Sequence, residues 1–289
     1  MYYTNNYDCP EPLYHALVTD EYEHRGDISV TSLIQPPRIY QLGLRHSDEI
    51  TIDAIDNIWM LLGKIAHKIV EEKDAPNGFK EERLYLDIAG WKVAAKPDLW
   101  MAPHTLHDYK LTTVWSYIFG LKIEWEQQMN CYAPFYTDAG FPVHELEIDA
   151  IFRDHQKSKA KRDKNYPPVA FKRMLVPVWS LAYQMTFLGA RVGLHQLCQD
   201  MQDAELPLCT PEERWEKPTI YAVMREGRKS SLKNFDNEQQ ANEFLKVQHG
   251  KVYIETRIGK SPRCEDYCNV QPFCNQYKEA ISEHLPKID

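Results

Sequence analysis

The feature that most constrains the fold is a short stretch in which charged residues recur at strand-like spacing. Along residues 96–110, one strand-like run closes on Pro97-Asp98 and a second run delivers Asp108 and Lys110. Residues two apart in a β-strand point to the same face, so the latter two are expected side by side, with Asp98 facing them across a hairpin. Two carboxylates can hold a hard divalent cation, and an amine can orient a water molecule. An ordinary surface ion pair has the same local pattern, so the flanking sequence must decide between the two.

Composition bounds the class of protein. The chain has 289 residues, of which 43% are hydrophobic and 26% charged, as expected for one large globular domain or one domain with an appended module. We find no apolar run of about 18 residues and no basic-then-apolar leader, so we expect a cytoplasmic protein (in the host cytoplasm if phage-encoded) without a membrane span. The net charge of -8 argues against a generally sticky nucleic-acid binder but is compatible with local basic grooves.

Hydrophobic periodicity predicts the order helix, three strands, helix, strand, helix. These elements are a helix at 52–70, strands at 83–88, 91–99 and 106–111, a helix within 114–136, a strand at 143–153 and a long helix at 177–201. A central mixed β-sheet flanked by helices follows, so the expected fold class is α/β (α+β). We expect an irregular N-terminal arm at 1–27, a core at 28–205, and a small C-terminal α+β cysteine-rich module at 206–289.

Two further motifs flank the hairpin at helical spacing. Gly63 and His67 lie four residues apart on the first predicted helix, and Gln128 and Tyr132 lie four apart on the second, so each pair shares one helix face. Each residue also has a plainer interpretation: His67 as a hydrogen-bonded histidine at a helix–sheet contact, Tyr132 as a core residue, and Asp98 as a turn residue.

Together, these motifs resemble those of the PD-(D/E)xK nuclease superfamily, and above all its RecB-like branch with the Cas4-type and phage-encoded recombination nucleases. The resemblance covers residues 28–153, about half of the chain, and implies a restriction-endonuclease-like core. It implies that Mg²⁺ or Mn²⁺ is bound by the side chains of His67, Asp98 and Asp108 and by the backbone carbonyl of Tyr109, that Lys110 orients the attacking water, and that Gln128 and Tyr132 position the DNA backbone or the lysine.

The function implied by this resemblance is a divalent-metal-dependent DNA exonuclease of a phage or mobile element, acting in recombination, replication or DNA-end processing. Its substrate would be single-stranded DNA or duplex ends, and a single-strand-annealing protein or a helicase would be a candidate partner. Three alternatives stay open: a flap- or structure-specific endonuclease with the same core, a catalytically silent DNA-binding recombination accessory protein, and a cysteine–metal interaction module with an unrelated hairpin. The intact set of acids and lysine favours an active enzyme over a silent one.

Three of the seven cysteines are bunched near the C-terminus: Cys264, Cys268 and Cys274. An odd total argues against a disulfide framework, and closely spaced thiolates hold Zn²⁺ or iron–sulfur clusters. Nucleases of the same branch include members whose iron–sulfur cluster uses one upstream cysteine and three near the C-terminus, which favours a [4Fe–4S] cluster, with Zn²⁺ or free thiols as alternatives. Where Cas4-type sequences have the upstream cysteine, this chain has Pro36-Pro37, so Cys209 is the preferred fourth ligand and Cys9 the second choice.

The segment 155–164 is rich in basic residues, which are Lys157, Lys159, Lys161, Arg162 and Lys164. A solvated loop explains them most simply, and a loop that contacts DNA phosphates is the functional alternative.

Overall fold

The computed structural model describes residues 1–19, 26–80 and 82–284. It forms two compact units. The first comprises Met1–Gln41 and Ser47–Met201, and the second comprises Leu42–His46 and the chain from Gln202 onward. The mixed sheets with flanking helices confirm the expected α/β class. The expected arm, core and C-terminal module stay a prediction beside this division.

The first unit is built around two mixed sheets. Its strands are β1 (Tyr2–Thr4), β2 (Ile28–Ser29), β3 (Thr51–Asp53), β4 (Gly78–Lys80), β5 (Leu84–Ile88), β6 (Trp91–Ala95), β7 (Leu99–Met101), β8 (Thr105–Thr112), β9 (Glu145–Phe152) and β10 (Phe171–Val176). Its helices are α1 (Glu11–Val18), α2 (Val30–Leu33), α3 (Pro37–Arg45, whose last residues belong to the second unit), α4 (Ile58–Glu71), α5 (Trp115–Ile118), α6 (Ile123–Asp138), α7 (Lys157–Ala160) and α8 (Leu181–Gln199).

The larger sheet has the order β10-β9-β8-β7-β4, with β8 and β9 parallel and the other neighbours antiparallel. One face of β8 and β9 buries Leu106, Ile148 and Ala150. Helix α6 contacts both strands and α8, and from Gln128 to Tyr136 every residue of it is buried. A helix enclosed on all sides explains why its apolar residues lack a clean stripe.

The smaller sheet has the order β2-β6-β5, and its hairpin has the expected tight turn. Ala89 and Gly90 have φ values of 50° and 83°. Positive φ at both central residues is what a two-residue type I′ turn requires, and this turn matches the twist of the flanking strands. Glycine adopts this conformation freely, whereas alanine is strained in it.

The structure differs from the sequence-based expectations in four places. The strand predicted at 91–99 is divided between β6 and β7, which belong to different sheets, because Pro97 has no N–H to donate to a ladder. Residues 1–19 are not irregular, since β1 pairs with β3 and α1 forms a helix; residues 20–25 lie outside the described residues. The edge strand β10 was missed, and one turn of helix, α7, lies within the basic segment.

The second unit contains an antiparallel sheet of order β12-β11-β13. Its elements are β11 (Ile220–Arg225), β12 (Lys233–Phe235), α9 (Glu238–Lys246), β13 (Val252–Arg257) and α10 (Asn275–His284). Within the described ranges, no helix is long and apolar enough to cross a membrane.

Candidate active site

The first part of the candidate site joins α4 to the segment before β7. The Nδ1 atom of His67 lies 3.1 Å from Asp98 Oδ1, and the backbone N–H of Tyr109 donates to Asp98 Oδ2 at 2.6 Å. The hydrogen bond to Asp98 raises the pKa of His67, and partial burial opposes this shift. Asp98 therefore bridges a helix and a strand, rather than only closing a turn.

The second part lies on β8. Asp108 and Lys110 point to one face, and Lys110 Nζ lies 2.6 Å from Asp108 Oδ2. The Asp108 residue is only 3% exposed. Burial raises the pKa of its carboxyl to about 6, the ammonium of Lys110 opposes the rise, and the charge of Asp98 adds to it.

The third part continues from the lysine into α6. Lys110 Nζ donates to Gln128 Oε1 at 3.0 Å, and Gln128 Nε2 donates to the Tyr132 hydroxyl at 2.8 Å. Thr31 Oγ1 lies 3.4 Å from the same hydroxyl. Burial raises the pKa of Tyr132, so it is a neutral phenol. The pair on one helix face thus fixes the position of the ammonium.

Space for a ligand lies beside the histidine and the bridging acid. A cavity of about 320 Å³ is lined by His67, Asp98, Tyr109, Lys80 and other residues of α4 and β7. Gly63, the other member of the helical motif, is not required by packing, because a methyl group there would meet no atom within 4 Å.

The candidate cysteine site lies in the second unit. Cys209 and Cys274 are each 8% exposed, and the side chain of Gln276 brackets Cys209. The Cys209 N–H donates to Gln276 Oε1 at 2.9 Å, and Gln276 Nε2 donates to the Cys209 carbonyl at 2.9 Å. Burial raises the pKa of the Cys209 thiol to about 12, and Glu213 and the three C-terminal cysteines add to the shift. Cys209 therefore shares one electrostatic neighbourhood with Cys264, Cys268 and Cys274.

The remaining cysteines are elsewhere. Cys131 and Cys198 are buried in α6 and α8, and burial raises the pKa of Cys131 to about 12. Cys9 lies in the first unit. The basic residues Lys157, Lys159, Lys161, Arg162 and Lys164 are all exposed on α7 and the turn after it.

One cluster escaped the sequence analysis. His107 Nδ1 lies 3.0 Å from Asp149 Oδ2 and 3.3 Å from Glu147 Oε2. The three ligand atoms lie within 4.8 Å of one another, so this buried cluster could bind a metal ion. In the described part of the chain, the His67, Asp98 and Asp108 set does not meet that spacing.

Charge balance gives the cluster a second interpretation. Arg173 Nε lies 3.0 Å from Glu147 Oε2 and 3.4 Å from Asp149 Oδ1, so a half-exposed arginine already compensates the two carboxylates. The sequence feature that could have revealed this cluster is the pair Glu147 and Asp149, which lie two residues apart on β9 and so share one face. In the fold, β10 pairs with β9 and brings Arg173 against both carboxylates.

No protein-family model and no curated protein matches the chain. Among solved structures it is similar to SSO0001, at 17% identity and a TM-score of 0.42, over 65% of this chain and 83% of that one. It is also similar to the alkaline exonuclease LHK-Exo from Laribacter hongkongensis, at 16% identity and a TM-score of 0.30, over 46% of this chain and 62% of that one. Likeness at this level carries no functional argument, which must rest on the residues.

Proposed function

We propose that the protein is a divalent-metal-dependent deoxyribonuclease of the PD-(D/E)xK type, related to its RecB-like branch. One observation carries the proposal: two chains of polar contacts converge on β8. The first runs from His67 through Asp98 to the backbone N–H of Tyr109, and the second runs from Asp108 through Lys110 to Gln128 and Tyr132. The charges of Asp98 and His67 act on the Asp108 carboxyl, so the two chains share one electrostatic neighbourhood.

The donor set fits Mg²⁺ or Mn²⁺. Two carboxylates and a carbonyl supply hard oxygen atoms, and one imidazole shifts the preference toward Mn²⁺. Under the proposal, His67, Asp98, Asp108 and the Tyr109 carbonyl hold the ion. A bound ion of this kind supplies Lewis-acid stabilisation and lowers the pKa of a coordinated water.

The remaining site residues position the Lys110 ammonium and supply its positive charge to the reacting groups. Lys110 is held by two oxygen atoms, from Asp108 and Gln128, so its third N–H can be directed at the attacking water or a phosphoryl oxygen. Tyr132 fixes the orientation of the Gln128 amide, because its hydroxyl accepts from Nε2 and leaves Oε1 toward the lysine. The two α6 residues are positioning residues for the ammonium.

We further propose exonuclease action on linear DNA, as in processing of DNA ends for recombination or replication in a phage or mobile element. The test is release of acid-soluble nucleotides from linear and covalently closed DNA in Mn²⁺ or Mg²⁺. Wild-type protein should degrade the linear DNA and leave the closed circle intact. Cutting of the circle would favour the endonuclease alternative.

Asp108→Asn should abolish release, since a neutral amide is a poor ligand for Mg²⁺ and cannot balance Lys110. Asp87→Asn is the matched control, because Asp87 is an exposed strand acid in the smaller sheet. Equal rates in the two variants would reject the assignment of Asp108. No hydrolysis of any DNA by folded wild-type protein would reject the function.

We also propose that Cys209, Cys264, Cys268 and Cys274 hold a [4Fe–4S] cluster with a structural role. The proposal is supported by the close spacing of Cys264, Cys268 and Cys274 in the sequence and by the electrostatic neighbourhood that Cys209 shares with them. A zinc site with the same four ligands is the alternative. When bound, the cluster would tie the Cys209 segment to the start of α10.

A further inference from the structure

Two large aromatic side chains are exposed to solvent just after β8, the strand that carries Asp108 and Lys110. Trp115 and Phe119 belong to α5 and the residue after it, and their rings stack with centroids 5.4 Å apart and planes 18° apart. Trp115 is 53% exposed and Phe119 is 80% exposed. Burying these rings would stabilise the fold, so paired exposure indicates a surface made for a ligand.

Hydrogen bonds fix this aromatic pair at the end of β8. The backbone N–H of Val114 donates to Asp154 Oδ1 at 2.8 Å, and that of Arg153 donates to the Thr112 carbonyl at 2.9 Å. The Arg153 guanidinium lies over a third exposed aromatic, 3.7 Å from the ring centroid of Trp59. The rings are therefore attached to the same strand end as the proposed catalytic lysine.

Three cations lie close enough to act on one another near the start of α6. The ammonium of Lys122 lies 4.8 Å from the ring centroid of Trp125, at the start of α6. Partial desolvation lowers the pKa of Lys122, Glu124 opposes this, and the positive charges of Lys110 and Arg153 lower it further. Three cations within range of one another mark a surface that attracts phosphates.

A cavity of about 350 Å³ is lined in part by Trp115. Trp115 and Ile118 give it an apolar wall, and Asp154 and Asp163 contribute carboxylates, with Lys159 of α7 also lining it. Carboxylates repel phosphate but accept hydrogen bonds from the amino groups of nucleobases. The cavity is thus suited to a nucleobase, and the nearby cations are suited to the phosphates on either side of that base.

We propose that Trp115, Phe119 and the adjoining cavity seat an unpaired base of single-stranded DNA next to the hydrolytic site. Aromatic side chains bind single strands by stacking, which tolerates any sequence, while a basic groove follows the backbone. This inference rests on the proposed function, because it assigns the substrate strand of the same site.

The test is binding in EDTA, where no hydrolysis can occur, by fluorescence anisotropy of labelled oligonucleotides. One probe is an oligodeoxythymidine, and the other has the same length and charge but abasic residues. Trp115→Ala and Phe119→Ala should each weaken binding of the normal strand by about tenfold, the loss of one stacked base, and leave the abasic strand unaffected. Lys122→Ala should weaken binding of both strands, because it removes a charge.

Tyr183→Ala is the matched control, since Tyr183 is an aromatic residue on α8 that is also 53% exposed. Circular dichroism should show that all variants are folded. The inference is overturned if Trp115→Ala and Phe119→Ala bind the normal strand as wild type does, or weaken both strands equally. It is also overturned if they turn a dimer into a monomer without changing DNA affinity, because the rings would then be a protein interface.

The two proposals can fail separately. Hydrolysis of bis(p-nitrophenyl) phosphate in Mn²⁺ reports the chemistry without any base to stack. Wild type and Tyr183→Ala should hydrolyse this ester at equal rates, and Asp108→Asn should not hydrolyse it. Loss of base-dependent binding with intact ester hydrolysis supports both proposals, whereas base-dependent binding in a protein that hydrolyses nothing would leave only the binding site.

Discussion

Asp108 is a charged group in a place where few are found. Its carboxylate is enclosed and has the ammonium of Lys110 as its nearest counter-charge. Taking a carboxylate out of water is costly even when it is paired, so an enclosed acid of this kind is a candidate for the proposed catalytic role. The spacing of Asp108 and Lys110 along a strand predicted that they are adjacent. Their burial could not be predicted, because it depends on α6 closing over the sheet.

Two contacts show the same limit of sequence reasoning. The hydrogen bond from the Tyr109 N–H to Asp98 joins β8 to the segment between β6 and β7. The contact of Arg173 with Glu147 and Asp149 depends on β10, a strand whose residues carry no clear alternation. Both arise from tertiary packing, which local periodicity does not encode.

His195 provides a prediction at the residue scale. It is fully buried in α8, and its Nε2 lies 3.0 Å from the Leu33 carbonyl oxygen, which can only accept, so the neutral ring carries its proton there. Burial, helped by the charge of Arg191, lowers the pKa of His195 to about 4 from 6.5. The unfolded chain therefore binds this proton first, and stability falls as the pH drops from 6.5 toward 4.

The expected size is about 2 kcal/mol of unfolding free energy between pH 7 and pH 5. Urea unfolding of wild type and His195→Gln at both pH values measures it. The variant keeps a donor for Leu33 but cannot titrate, so its stability should depend less on pH. Equal losses in the two proteins would contradict a buried neutral imidazole.

At the scale of elements, helices and strands with strong hydrophobic periodicity were predicted correctly, whereas breaks within a strand were missed. Helices α4 and α8 were predicted because each repeats apolar residues over two or more turns, and β9 because its apolar residues alternate with others four times. Strand β8 was predicted without such an alternation. The division into β6 and β7 was missed, although Pro97 is the physical cause. Because Pro97 ends the strand, Asp98 lies outside the hydrogen-bond ladder, and its carboxylate bridges α4 and β8.

The β5–β6 turn gives a prediction at this scale. Asparagine tolerates positive φ better than alanine and precedes glycine in favoured type I′ turns. Ala89→Asn should therefore raise the free energy of unfolding by about 1 kcal/mol. Ala89→Val should lower it, since a β-branched residue is worse in that conformation. Urea unfolding checks both, and a less stable Ala89→Asn protein would show that the turn is not strained.

At the scale of the whole molecule, the fold class was predicted from the sequence, whereas the four-cysteine ligand set stays a proposal. Three of its cysteines stand together in the sequence, but Cys209, the proposed fourth ligand, is more than fifty residues upstream. The bracketing of Cys209 by Gln276 is a long-range contact with no local signal.

The proposed cluster predicts a brown protein after anaerobic purification, with absorbance near about 400 nm and iron matched by acid-labile sulfide. Cys209→Ser should lose both, and Cys9→Ser should keep both, because Cys209 is the proposed fourth ligand. A colourless protein with one zinc ion would replace the cluster by a zinc site. An equally brown Cys209→Ser would exclude Cys209 as a ligand.

The most direct measurement is the rate at which nucleotides are released from linear DNA in Mn²⁺ by wild type and by Lys110→Met. The methionine keeps most of the side-chain length and removes the charge held between Asp108 and Gln128. Lys251→Met is the control, since Lys251 is 84% exposed in the second unit. We predict release by wild type and Lys251→Met and a loss of about a hundredfold or more in Lys110→Met. Release by folded Lys110→Met at the wild-type rate would contradict the proposed active site.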